Sequence, residues 1–374
     1  LCPVSFYPGR CPGLINIGLS GLKNSFFVQR KMIKQRKYPA DFHQLEKVLH
    51  RQKPDRPVLF EYFVNGDLIS YVNDETFASL NNRADQIKSI IRFFHKTGYD
   101  YATIPSRYFD AFSFENTDHE KKATVSLNEG SAITDRKSFE SYNWPDPEQG
   151  HFDLLNRLAG DLVDGMRFII SAPGGVLENV IDLVGFERLC FMIYEDEELT
   201  QAIFDEVGSR LLRFYEICSS LEPVGALIVN DDWGFKTQTM LSPDMLRQFI
   251  FPWHKKIVEA IHRNGKFAIL HSCGNLAEVI DDIVDDMNYD AKHSFEDIIL
   301  PVEQAWQNWH DRIAIMGGID MDFLVRSKPD TIRERCRNIL EITGSKAYAL
   351  GSGNSIPTYV PIENYLAMVG IINE

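Results

Sequence analysis

From about Tyr38 onward, short apolar runs alternate with longer amphipathic ones, and this rhythm constrains the fold more than any other feature of the chain. A buried strand reads as a short continuous apolar run and a surface helix as a 3.6-residue periodicity. Their regular alternation is the pattern of β/α units around a parallel sheet. Eight runs qualify as strands: RPVLFEYFV (56–64), YDYATIP (99–105), MRFIISAP (166–173), VGALIVND (224–231), GKFAILHS (265–272), NYDAKHS (288–294), DRIAIMGG (311–318) and KAYALGSG (346–353). NYDAKHS is the weakest of them. Eight strands are what closure requires, so the expected fold is α/β, a (β/α)8 TIM barrel. Helix signals fall between the runs. Ile87, Ile90, Ile91, Phe93 and Phe94 lead to a stop at Gly98, Ser242 caps a helix with Pro243 in its first turn, and a third helix opens at Pro329 and stops at Gly344.

One stretch breaks the rhythm. Residues 108–165 are polar and too long for a plain loop, so they read as an insertion after the second strand. A hairpin is expected at 122–133, with the insertion covering one side of the barrel mouth. Residues 1–37 form an arm that fails as a secretory signal and reads as a leader or a loosely packed appendage. The barrel domain then spans 38–374.

The chain carries 39 Lys+Arg against 53 Asp+Glu, a formal charge of −14, which argues against nucleic-acid and anionic-membrane partners. Its 12% aromatic content excludes disorder. No run approaches the roughly 20 apolar residues of a membrane span. The six cysteines form no disulfide framework, and Cys190, Cys218 and Cys336 read as small buried hydrophobes, so a reducing, cytoplasmic setting is expected.

In a barrel the functional groups lie where the strands end. Those positions hold Glu61, Asn65, Arg107, Asn230, Asp231, Asp232, His271, Cys273, His293, Glu296, Asp320, Ser352 and Asn354. The sharpest signal is AILHSCGN: His271 and Cys273, two apart at a strand end, share a side and together suit a borderline-soft ion such as zinc. The alternative is a histidine bonded to a backbone carbonyl beside an inert thiol. Asp231 and Asp232 are adjacent acids suited to proton transfer or metal binding; alternatively one faces the mouth and the other caps a helix. His293 and Glu296 are further candidates for catalysis, although Glu296 or Asp297 also fits the first turn of a helix. His254 reads as structural.

RQKPDRPVLFEYF, NDDWG with LSPDMLRQFIFP behind it, LHSCGN, KHSFEDIILPVEQ, IAIMGGID and LGSGNSIPTYVPIEN together resemble the uroporphyrinogen decarboxylase superfamily. That superfamily also contains corrinoid-dependent methyltransferases acting on small methylated compounds. The resemblance covers roughly residues 38–374 and implies a TIM barrel. Features of the decarboxylase branch are missing: EYFVNGDLI has no arginine, IPSRYFD offers Ser106 and Arg107 where that branch has an aspartate, and Ser352 replaces the centre of a GHG-like turn. A tetrapyrrole with eight carboxylates would also meet an acidic chain.

The methyltransferase branch implies a zinc site of His271 and Cys273 plus a third cysteine, whose place Ser352 occupies; Asp231, Asp232 or Glu61 are the alternatives for that ligand. Glu61, Arg107, Asp320, Ser352 and Asn354 are expected to bind substrate. The resemblance thus implies a methyltransferase-like enzyme on a small methylated substrate, with zinc and a corrinoid supplied by a carrier protein. A decarboxylase or related lyase and a non-catalytic ligand-binding or carrier-docking barrel are the alternatives. Barrels of this family pair through outer surfaces, and FSFENTD or the N-terminal arm are the segments that would serve a homodimer.

Overall fold

The computed structural model describes residues 36–114 and 132–374. Seven parallel strands follow one another in chain order: β1 (Tyr101–Pro105), β2 (Arg167–Ser171), β3 (Val224–Asn230), β4 (Phe267–His271), β5 (Ala291–His293), β6 (Ala314–Met316) and β7 (Tyr348–Ala349). They coincide with seven of the eight apolar runs, including the weak NYDAKHS, which keeps three strand residues. Their side chains are almost wholly buried, which explains why the runs are continuous rather than alternating.

RPVLFEYFV behaves differently. It makes two isolated parallel bridges, Val64 to Ile356 and Leu59 to Leu350; at the latter, Phe60 N–H donates to the Leu350 carbonyl and Leu350 N–H to that of Val58, each at 2.8 Å. Toward β1, side chains replace the backbone ladder. The Glu61 N–H donates to the Tyr101 hydroxyl at 2.7 Å, and the Thr103 hydroxyl donates to the Glu61 carbonyl at 3.1 Å. The hydrogen-bonded sheet among the described residues therefore counts seven strands, with the first run held in the gap between β7 and β1.

The helix signals are matched. The helix Arg83–Thr97 ends on Gly98 at φ 101°, Ser242 accepts from Met245 N–H, and Pro329–Thr343 ends on Gly344 at φ 55°. Among the described residues between β1 and β2 lie the short α-helices Arg136–Ser141 and Asp153–Arg157. This stretch is tied to the outer helices Val176–Val184 and Glu197–Ser220. Ile133 N–H donates to Leu183 O at 2.9 Å, Arg210 Nε to Pro145 O at 2.8 Å, and Arg213 pairs with Glu148 at 2.6 Å. The expected hairpin lies, save for its last two residues, outside the described residues, as does all but the end of the N-terminal arm. Cys218 and Cys336 are buried and Cys190 half-buried. Among the described residues no helix is long and apolar enough to cross a membrane.

Gly351 is where the first run meets the sheet most closely, because a Cβ there would lie 1.7 Å from the Phe60 carbonyl oxygen. Backbone cannot yield as a flexible side chain can, so Gly351→Ala is expected to cost about 2 kcal/mol or more in denaturant-unfolding experiments. Gly160→Ala, with nothing within 4 Å of its Cβ, should stay within about 0.5 kcal/mol of the parent.

Candidate metal centre

Strict register builds the site. Asn230 of β3 pairs with His271 of β4, and His271 with His293 of β5, so the three side chains stand side by side at the strand ends. The two imidazoles meet through their Nδ1 atoms at 2.8 Å, and His293 Nε2 lies 3.0 Å from the Ser352 carbonyl. A carbonyl only accepts, so the His293 proton sits on Nε2 and its Nδ1 is a bare acceptor. The His271 proton must then lie on Nδ1, which leaves His271 Nε2 with an open lone pair. Both rings are buried. Burial drives His293 down to about 3, and burial followed by the His293 and Lys292 charges holds His271 well below its usual range, so both are neutral at physiological pH.

The open nitrogen faces Cys273, whose Sγ lies 3.8 Å from His271 Nε2 and also receives the Asn354 amide at 3.4 Å. Gly274 makes this turn possible: it has φ +88°, and a Cβ there would lie 2.1 Å from Gly234 O. The NDDWG and HSCGN loops are thereby clamped together, with Asp231 N–H donating to His271 O at 2.9 Å and Asn275 N–H to Phe235 O at 2.8 Å. Asp232 Oδ1 accepts the Cys273 N–H at 2.9 Å. As a result, ligand atoms of Asp232, His271 and Cys273 all lie within 4.8 Å of one another. Burial, and next the Asp232 charge, pushes the Cys273 thiol well up; burial also raises Asp232. A divalent cation would displace the thiol proton and satisfy all three.

Asp231 does something else. Its two oxygens accept the Leu177 and Glu178 N–H groups, each at 2.9 Å, so it caps the helix Val176–Val184. Oδ2 also takes the His254 Nε2–H at 2.9 Å, while His254 Nδ1 lies 2.7 Å from the Tyr289 hydroxyl. Both Asp231 oxygens are thus committed to helix and histidine. Asp320 likewise caps Met321–Arg326 and accepts from Asp297 N–H, and Asn65 caps Gly66–Asn73. Glu296 is half-buried in a turn where its carbonyl takes Ile299 and Leu300 N–H, and it stands outside the ligand cluster. Arg107 is exposed, its guanidinium 4.9 Å from the Tyr108 ring centre and 5.6 Å from that of Phe63.

The Ser352 side chain is engaged outside the candidate cluster of Asp232, His271 and Cys273. Its Oγ lies 2.6 Å from Glu61 Oε1 and also contacts the Asn354 carbonyl. One hydroxyl proton cannot serve both acceptors. The Ser352 hydroxyl donates to an ionised Glu61; with its proton on Asn354 O instead, a protonated Glu61 donates to Ser352. Burial favours the protonated form, pushing Glu61 up to about 8 against the opposing Ser352 bond.

Three groups escaped the sequence reading. The Tyr62 ring lies 4.3 Å from that of His271. Glu178 Oε2 accepts from Gly175 N–H at 2.8 Å and Asn230 Nδ2 at 3.0 Å, and burial, then the Asp232 and Asp231 charges, raise it far above the usual carboxylate range. Lys292 is buried, donates to Ser294 O at 2.9 Å, and is pushed down to about 8 by burial. A lone lysine inside the strand AKH and a glutamate three residues after Gly175 were the available signals.

Sheet and strand-end cluster define an α/β, TIM-barrel-like protein with a polar mouth. A family model described as uroporphyrinogen decarboxylase (URO-D) matches residues 78–374, and the chain belongs to that family. Over 190 residues it is 25% identical to a uroporphyrinogen decarboxylase of Anaeromyxobacter sp. (strain Fw109-5) and 24% identical to that of Anaeromyxobacter dehalogenans (strain 2CP-C). Each match covers 50% of this chain and 52% of the relative, so the chain spans about half the length of the curated relatives it matches. Among solved structures, a methyltransferase from Methanosarcina mazei superposes with a TM-score of 0.69 at 16% identity, covering 88% of this chain and 97% of that one.

Glu61 yields a pH signature. Its pKa rises from 4.5 to about 8 on folding, so between those values the folded state holds the proton that the unfolded state has lost. Stability therefore falls as pH rises through that window. Glu61→Gln, which cannot ionise, should become progressively more stable relative to the parent from pH 5 to pH 8, by an amount on the order of a few kcal/mol. Paired denaturant titrations at the two pH values measure the difference.

Proposed function

We propose that this chain is a methyltransferase-like enzyme of the uroporphyrinogen decarboxylase superfamily, with a zinc ion held by Asp232, His271 and Cys273. The observation that carries this reading is the convergence of those three ligand atoms within 4.8 Å. The donor set suits the ion: a histidine nitrogen with an open lone pair, a cysteine sulfur and one carboxylate oxygen are zinc ligands, and three protein ligands leave a position for substrate. When bound, zinc supplies Lewis acidity that keeps a substrate thiol ionised and nucleophilic toward a methyl group. In this reading Asp232 serves where the resemblance to the methyltransferase branch implies a third cysteine, because the Ser352 hydroxyl is engaged by Glu61 and Asn354.

The chain's own groups do the rest. Asn354 donates its amide to the Cys273 sulfur and steadies its negative charge. Tyr62 closes over the His271 ring and limits water there. Arg107, unpaired by any carboxylate among the described residues, is the cation offered to the substrate. The substrate class is a small methylated compound with a thiol partner, and the corrinoid is brought by a separate carrier protein.

The names of the curated relatives support a second reading, a carboxy-lyase acting on a carboxylic acid or tetrapyrrole. Glu61 and Glu178, both raised above the usual carboxylate range by burial, are the acids such a reaction would use.

Zinc content decides between them. The purified chain should bind about one zinc per molecule, and His271→Ala, Cys273→Ala or Asp232→Asn should each weaken binding at least about tenfold. Methyl transfer from methylcobalamin to a small thiol, followed by absorbance, should fall in parallel. Zinc near zero after supplementation, with carbon dioxide released from a porphyrinogen, would replace the first reading by the second.

A further inference from the structure

The His271–His293 contact has a direction, and that direction has a use. We propose that His293 is a positioning residue that fixes the His271 tautomer, presenting an unprotonated Nε2 to the metal; this rests on the zinc reading above. The two rings are in register on adjacent parallel strands, which puts their Nδ1 atoms 2.8 Å apart. At that distance exactly one of the two nitrogens carries hydrogen, since two protons would collide and none would leave two lone pairs in repulsion. The choice is made 3.0 Å away on the far side of His293, where Nε2 meets the Ser352 carbonyl. A peptide oxygen has nothing to donate. The order of protons is therefore set from one end: His293 Nε2–H to Ser352 O, His271 Nδ1–H to His293 Nδ1, and a lone pair at His271 Nε2.

The surroundings reinforce this order. Gly317 lets the Ser352 carbonyl and the His293 ring approach, because a Cβ there would lie 2.1 Å from Ser352 O and 2.9 Å from His293 Nε2. Phe60 packs edge-on against His293 with ring centres 5.0 Å apart, and Tyr62 lies against His271, so neither imidazole can turn freely. At the other end, Cys273 is 3.8 Å from His271 Nε2, and its S–H is the donor that nitrogen can use until a cation displaces the proton. The Ser294 hydroxyl, 3.5 Å from the same sulfur, spends its own proton on Gly353 O at 2.8 Å and cannot donate there. His293 thus reaches no metal itself. It acts through His271, as a carboxylate or carbonyl does behind other ligating histidines.

Two variants separate positioning from packing. In His293→Asn the side-chain oxygen can stand near the former Nδ1 and accept from His271, whereas His293→Leu offers volume without an acceptor. Nitrogen-15 NMR of the metal-free chain should show His271 protonated on Nδ1 in the parent and in His293→Asn. In His293→Leu that tautomer should no longer dominate. Zinc affinity should fall about 10- to 100-fold in His293→Leu and remain within about threefold in His293→Asn. A parent protein with His271 protonated on Nε2 would overturn the proposal, as would parental affinity in His293→Leu or equal losses in both variants. If the parent shows the expected tautomer but binds no zinc, the zinc reading fails and the metal-positioning role fails with it, while the proton order stands.

Discussion

In-register pairing of β3, β4 and β5 is the constraint on which the site depends. Parallel strands carry neighbouring side chains on the same face, so the pairing of Asn230 with His271 and of His271 with His293 aligns three polar groups at one level. A shift of one residue would reverse every side chain, replacing the imidazoles by Leu270 and Lys292. The register is held by apolar packing below this level, where Leu227, Ile228, Ala268 and Ile269 are fully buried. Core packing and site chemistry are therefore one arrangement.

Above the strand ends, the two glycine-bearing loops extend this order. Because Gly274 passes so close to Gly234, the Asp232 carboxylate is brought to the Cys273 backbone and stays half-buried beside two buried ligands. The adjacent acids then part company. Asp231 turns back onto the helix Val176–Val184 and His254, locking the loop from below, and Asp232 faces the mouth.

Much of this was legible in the residues. Six apolar runs became strands because continuous burial on both faces marks them, while NYDAKHS, weak in sequence, keeps three strand residues. RPVLFEYFV looked the same in sequence, but the hydroxyls of Tyr101 and Thr103 take the Glu61 backbone groups that a full ladder would have used. Parity along the strand makes His271 and Cys273 companions, and the same parity sets Asp232 with Asn230 rather than with Asp231. The contact between His271 and His293 was hidden, since register between strands 22 residues apart in sequence is a property of the sheet and not of either run. The protonation of Glu61 was hidden for a similar reason, arising from the burial that the fold imposes and opposed by its bond to Ser352, 291 residues away.

Ser352 contributes to the site through two separable parts. Its hydroxyl belongs to Glu61, and its carbonyl orients His293. Only the first is written in the genetic code for that position; the second is common to every amino acid. The imidazole pair is therefore anchored to something that no side-chain replacement at 352 can delete. The side chain at 352 therefore answers to Glu61 and Asn354, while the orientation of the two histidines rests on the backbone that every residue there would share.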